Sequence, residues 1–363
     1  MTYQKYITYF FIITVFAMQP LVCLFNYLTD YSCQWSDYEP IAKQSLQGKT
    51  IEIPANYNER EYQHQIIKHL SKIPDIIVIG SSRAMYLGKE ILNKESVYNH
   101  CVSGAILMDY YAITGLYQNY WHKMPDNIII ELSPWIFSNI SNECRWTENF
   151  NYCSAASNLY ETITGNSVNT VIKNFFNNPL FSFKYFYTNL QKALNLQSIF
   201  GMPQSLIITQ TCSAINNLTE MSDGTILYPK NLEQPGKERL QLVKLTSNKP
   251  VTYQDCHLMK GIDSELFKSF ELLIEFLKKN NKKITFFLAP FSPSQHQYII
   301  QHNSNPLFSV LEDNLKKFAK KNNIEVIGSY NPSPFNLQDE NFIDFMHIDR
   351  NSIKEIWQHQ TVW

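Results

Sequence analysis

Four β-branched residues in a row, Ile76-Ile77-Val78-Ile79, have no polar side to turn toward water. Successive side chains of a strand point to opposite faces, so such a run is stable where both faces of a sheet are covered. This reads as a buried strand of a parallel sheet flanked by helices. The run stops at Gly80-Ser81-Ser82-Arg83. Ligands of open α/β sheets bind beyond the carboxyl ends of such strands, so Ser82 stands where a nucleophile would stand. Serine is also a frequent turn and helix-capping residue, and a capping role for Ser82 is the plainer reading of that position alone.

The pattern recurs along the chain. A helix is expected over Glu59–Ser71, a strand over 75–80, a helix from Ser82 to about Leu92 and a short strand over Ser96–Asn99. A helix over Leu107–Trp121 precedes the strand Asn127–Leu132. After a long interval come an amphipathic helix over Glu265–Lys279, the strand Lys283–Ala289 and a helix from Pro306 to about Asn322. The strand Ile324–Ile327 and a terminal helix over Ile353–Gln360 close the series. Strands alternating with helices through short connections imply an α/β fold: a three-layer α/β/α sandwich with a mostly parallel, doubly wound sheet. Residues 31–70 read as a connecting region, and 71–363 as the main domain. Between about 137 and 263 the alternation lapses into aromatic, Asn and Ser residues. Helices over Ser167–Phe176 and Lys184–Leu196, and a turn at Ser222-Asp223-Gly224, mark a large, mainly helical insertion or cap over one sheet edge.

No charged residue occurs between Lys5 and Asp30, a stretch long enough for the roughly 20 residues a membrane span requires. Tyr3, Tyr6, Tyr9 and Tyr27 stand near its ends, where interfacial aromatics belong. No small-x-small cleavage pattern follows it, so residues 1–30 are expected to be an uncleaved single-pass anchor, with the remainder extracytoplasmic. Six of the seven cysteines lie outside this span, and Cys144 and Cys153 are close enough to close a small disulfide loop. The formal net charge of −1 carries no basic excess, which argues against a nucleic-acid partner. No Cys/His spacing suggests a metal site, and no cofactor is implied.

Asp344 and His347 stand three apart after the last expected strand, so the carboxylate can hold the imidazole from behind while the imidazole takes a proton from Ser82. Arg83 reads as the partner of a surface acid, or else as a ligand for a substrate anion. Glu131, at a strand end, reads as a salt-bridge partner, and His257 beside Asp255 and Cys256 as part of a polar loop.

With these residues in this order, the chain resembles the SGNH/GDSL hydrolase superfamily, whose fold is flavodoxin-like. Gly80-Ser81-Ser82 matches its first block, Asn99-His100-Cys101-Val102-Ser103-Gly104 its second and Asp344-x-x-His347 its last. The resemblance implies Ser82 as nucleophile, His347 as general base, Asp344 as its orienter, and the amides of Ser82 and Gly104 as oxyanion donors. It covers roughly residues 72–136 and 264–363. Two places depart from the pattern. Ser81 replaces the usual Asp, and Glu131-Leu132-Ser133-Pro134 stands where an Asn oxyanion donor is expected, leaving Ser133 or a residue of the insertion to substitute. Gly80-Ser81-Ser82-Arg83-Ala84 also fits a relaxed α/β-hydrolase elbow, but that fold draws its Asp and His from separate loops. Anchored relatives with such a first block imply an esterase or O-acyltransferase acting on acyl esters of a cell-envelope glycan, including helpers of teichoic-acid D-alanylation. The alternative is an inactive SGNH-like scaffold that binds glycan or partners a membrane acyltransferase.

Overall fold

A computed structural model describes residues 3–29, 37–52, 57–138, 144–168, 181–183, 185–187, 189–190, 207–209, 218–233, 236–247, 261–302 and 307–360. Its centre is a five-stranded, all-parallel sheet of β2 (Ile76–Ile79), β3 (Val97–Asn99), β4 (Asn127–Glu131), β8 (Lys283–Leu288) and β9 (Glu325–Gly328). The spatial order β3-β2-β4-β8-β9 reverses direction at β2, the first strand of this sheet in the chain. In open sheets of this kind the crevice for a ligand opens beside that reversal, at the strands' carboxyl ends.

Alternate residues of these strands feed two separate cores. Ile77, Ile79, Ile128, Ile130, Ile284, Phe286 and Leu288 face α5 (Leu107–Trp121), α6 (Phe150–Thr164), α9 (Ser264–Lys279) and α11 (Leu307–Asn322). Ile76, Val78, Val97, Ile129, Phe287 and Ile327 face α2 (Glu39–Leu46), α3 (Glu59–His69), α4 (Lys89–Leu92) and α12 (Arg350–Gln360). Both sides of each central strand are therefore dry, which is why these strands are apolar runs rather than alternating ones. Fully burying one such aliphatic side chain contributes about 1.5–3 kcal/mol.

A second, four-stranded antiparallel sheet has the order β5-β1-β6-β7, from β1 (Thr50–Glu52), β5 (Ile207–Thr209), β6 (Thr219–Glu220) and β7 (Ile226–Leu227). After β7 come α7 (Lys230–Glu233) and α8 (Lys237–Ser247), and α10 (Pro293–His302) follows β8. Residues 37–70 are thus more than a connector: Tyr62 and Ile66 of α3 are core residues, and β1 is the strand on which the small sheet is built. The middle region is more than an edge cap. Its α6 lies in the main core, packed along α5. Its expected turn at Ser222-Asp223-Gly224 joins β6 to β7 and rests on the end of β3, where Asn99 N–H donates to the Asp223 carbonyl at 2.8 Å. Gly224 has φ +78°, and a Cβ there would lie 2.1 Å from the Asn99 carbonyl oxygen, so this docking requires glycine. Of the helix expected at Ser167–Phe176 only residues 167–168 are described, and they are not helical. Of that expected at Lys184–Leu196, residues 185–187 and 189–190 are described and are helical, while Cys33, Cys212, Asp255, Cys256 and His257 lie outside the described residues.

The uncharged N-terminal stretch forms α1 (Tyr3–Thr29), which exposes Tyr6, Ile7, Phe10, Ile13, Leu21 and Leu24. It carries Gln19, Pro20 and Asn26 within its length, and among the described residues no helix is long and apolar enough to cross a membrane. The transmembrane span expected over 1–30 is not found. No disulfide joins Cys144 to Cys153, which is buried on the core side of α6, so the small loop that their spacing allows is not closed.

Candidate active site

The single helix expected from Ser82 to Leu92 is instead one 3₁₀ turn, Ser82–Ala84, followed by an irregular bend into α4. The Asn99 side-chain amide explains the interruption, donating to the carbonyls of Ala84 (2.8 Å) and Leu87 (2.9 Å). The turn is capped by Ser81, whose Oγ accepts from Arg83 N–H at 3.3 Å. Capping thus falls to Ser81, and the Ser82 hydroxyl is left for another partner.

That partner is His347. Its Nε2 lies 2.8 Å from Ser82 Oγ, and its Nδ1 lies 2.7 Å from Asp344 Oδ2. The tautomer that serves both contacts donates from Nδ1 and accepts the serine proton at Nε2. The loop is shaped by the other oxygen of the same carboxylate: Asp344 Oδ1 accepts the amides of Met346 and His347, each at 2.9 Å. Burial pushes the Asp344 carboxyl up, but the His347 ring and those two amides outweigh it and hold the group below the usual carboxylate range. Arg239 of α8 braces the loop from outside by donating to Asp349 and to the Glu340 carbonyl.

Arg83 neither faces solvent nor lies where an anion could reach it. It is 2% exposed, donates to the carbonyls of Ala289 and Met346, and stacks over Phe291 with its guanidinium carbon 3.9 Å from the ring centroid. Both sequence readings of Arg83, as surface ion-pair partner and as anion ligand, give way to an inward clamp between the Ser82 turn and the residue before His347.

Parallel pairing continues beyond the ends of β2 and β3. His100 N–H donates to the Val78 carbonyl at 2.8 Å and Val102 N–H to the Gly80 carbonyl at 3.0 Å. There the ladder gives way to turns, a 3₁₀ turn at Ser82 and a turn at Ser103-Gly104, so Ser82 and Gly104 each stand two residues beyond the last bonded pair, Gly80 and Val102. Neither Ser82 N–H nor Gly104 N–H makes a hydrogen bond among the described residues, so both are available to a developing oxyanion. Gly104 has φ +61°, and its loop is gripped on two sides. The Glu59 carboxylate accepts both the amide and the hydroxyl of Ser103, while Arg145 donates to the Ser103 carbonyl at 2.8 Å. The helix that follows is fixed by a buried bidentate pair, Arg60 to Asp109 at 2.8 and 3.0 Å.

Ser133 does not replace the missing oxyanion Asn through its hydroxyl. Its buried Oγ donates to Glu131 Oε1 at 2.5 Å and sits 3.0 Å from Ser81 Oγ. Glu131 Oε2 accepts Ser81 N–H at 2.8 Å. Glu131, fully buried, is therefore a buttress beneath the serine turn and not a salt-bridge partner. Gly80 allows this, since a Cβ there would lie 2.5 Å from Glu131 Cβ.

Tyr228, just after β7, is a further residue of the site. Its ring centroid lies 6.1 Å from that of His347, with Tyr86 behind it at 5.7 Å. Nothing in a lone Tyr amid an aromatic-rich stretch marks such a position. Its one legible pointer is the Ser222-Asp223-Gly224 turn, which aims β7 at the sheet's carboxyl edge. No protein-family model and no curated protein matches this chain.

Proposed function

We propose that the protein is an SGNH-type serine esterase or O-acyltransferase that acts on acyl esters of a cell-envelope glycan. The observation that carries the reading is the unbroken line Ser82 Oγ–His347 Nε2–Asp344 Oδ2, at 2.8 and 2.7 Å. Ser82 Oγ attacks the ester carbonyl as His347 takes its proton, and Asp344 stabilises the imidazolium. The amides of Ser82 and Gly104 receive the negative charge on the carbonyl oxygen; one such donor is worth about 10²–10³ in rate. The imidazolium then protonates the leaving alcohol. Water or a sugar hydroxyl, deprotonated in turn by His347, resolves the acyl-enzyme. The aromatic and aliphatic residues exposed on α1 support attachment at a membrane, and a cell-envelope glycan as substrate puts the site outside the cytoplasm.

The inward turn of the Ser133 hydroxyl, leaving no side-chain oxyanion donor from that block, favours a second reading. In it the chain is an inactive scaffold for glycan or for a membrane acyltransferase. One experiment separates them: p-nitrophenyl acetate turnover by the full chain in detergent, beside Ser82→Ala and His347→Ala, with fluorophosphonate labelling of Ser82. Wild-type turnover no greater than either variant, without labelling, leaves the scaffold.

A further inference from the structure

Among the described residues, the middle region brings Tyr228 to the imidazole, and its side chain is held from several directions. Tyr228 N–H donates to Glu233 Oε1 at 2.8 Å, and the same oxygen accepts the Tyr86 hydroxyl at 2.7 Å. The Tyr86 ring backs the Tyr228 ring and is itself covered by the Arg350 guanidinium at 5.0 Å. The Tyr228 ring is tilted 49° to that of His347. Its hydroxyl, by contrast, makes no hydrogen bond among the described residues, and burial with Asp344, Glu233 and Glu59 nearby keeps it protonated. A rigid ring with a free donor beside the general base is prepared for a ligand.

We propose that Tyr228 forms the acceptor side of the site and directs the acyl group to a sugar hydroxyl in preference to water. The inference rests on the serine-acyltransfer reading above. In the second half-reaction the acceptor must approach the imidazole of His347, whose ring neighbours that of Tyr228. One face of a pyranose is a flat array of C–H groups rimmed by hydroxyls. The tyrosine ring matches that face, and its O–H matches one rim oxygen. Water gains nothing from a ring face. The acceptor oxygen attacks the acyl carbonyl carbon as its proton passes to His347. The carbonyl–Oγ bond then breaks, and the proton returns to Ser82 Oγ, leaving an acylated sugar and free enzyme.

The test uses the full chain in detergent with p-nitrophenyl acetate and methyl β-D-glucoside, reading the ratio of acetylated glucoside to free acetate within each variant. Wild type transfers acetyl to the glucoside, Tyr228→Ala lowers the ratio about tenfold or more, and Tyr228→Phe falls between them. An unchanged ratio in Tyr228→Ala, or no transfer by a wild type that hydrolyses the ester, overturns the proposal. Failure of the underlying reading looks different: no fluorophosphonate label on Ser82 and no Ser82-dependent p-nitrophenol release. A melting curve for each variant identifies one that has not folded, and Tyr228→Phe, which keeps the ring, then decides alone: a glucoside ratio equal to wild type counts against the hydroxyl.

Discussion

The Arg83 guanidinium, on the residue immediately after Ser82, donates to the backbone carbonyl of Met346, the residue immediately before His347. The two halves of the site, more than two hundred residues apart in the chain, are thus tied directly as well as through the sheet. A lysine ammonium cannot reproduce the planar fork that also reaches Ala289. Arg83→Lys is expected to lower kcat by about 10- to 100-fold with KM little changed, because small misplacements of reacting groups are costly. Steady-state kinetics on p-nitrophenyl acetate check this, and a loss confined to KM would contradict a positioning role.

Asp344→Asn presents an amide where Nδ1–H needs an acceptor, and it favours the wrong imidazole tautomer. Turnover should fall by about 10³–10⁴-fold, a smaller loss than in Ser82→Ala. Fluorophosphonate labelling should slow in parallel. Rapid labelling of Asp344→Asn would mean that Ser82 is activated by something other than this carboxylate.

Glu131 and Gly80 form a tight buried contact beneath the nucleophile. Glu131→Ala removes the acceptor of both Ser81 N–H and Ser133 O–H, and should cost about 2–4 kcal/mol in denaturant unfolding. Gly80→Ala should cost about 1–3 kcal/mol by overpacking against the Glu131 side chain. Combined, the two should be less than additive, since the alanine at 131 frees part of the room that the alanine at 80 needs.

His100, between Gln63 and Tyr117, is pushed by burial down to about 3. Its folded pKa is therefore depressed below the free value of about 6.5. Stability from the neutral ring is present above that value and is lost as pH falls toward the folded one, at up to about 1.4 kcal/mol per pH unit. Unfolding midpoints of wild type should decline between about pH 6 and 4 more steeply than those of His100→Gln, which cannot titrate. Equal slopes would show that the ring protonates as readily folded as unfolded.

The parallel sheet was legible because its strands are dry on both faces, so Ile76–Ile79 and the run around Phe286 announce themselves. Asp344 and His347 were legible because local spacing alone lets one carboxylate oxygen turn the loop and the other hold the ring. What escaped depends on small residues or on distant partners. Helix α6 buries Ala155, Ala156 and Cys153, side chains too small to raise a strong apolar stripe. The break after Ala84 comes from Asn99, and the tasks of Arg83 and Glu131 come from carbonyls and hydroxyls that no linear pattern brings together.

The ladder that runs on past β2 and β3 works as a ruler. It pins Gly80 against Val102, the residues from which the Ser82 turn and the Gly104 turn each set out. One residue added between Val102 and Gly104 would shift the second donor relative to that fixed start. Length can vary freely only where nothing is counted, and the long middle region joins the sheet between β4 and β8, well outside the counted steps. A chain built this way can change the walls around its nucleophile, Tyr228 among them, while the distances at which bonds are made stay the same.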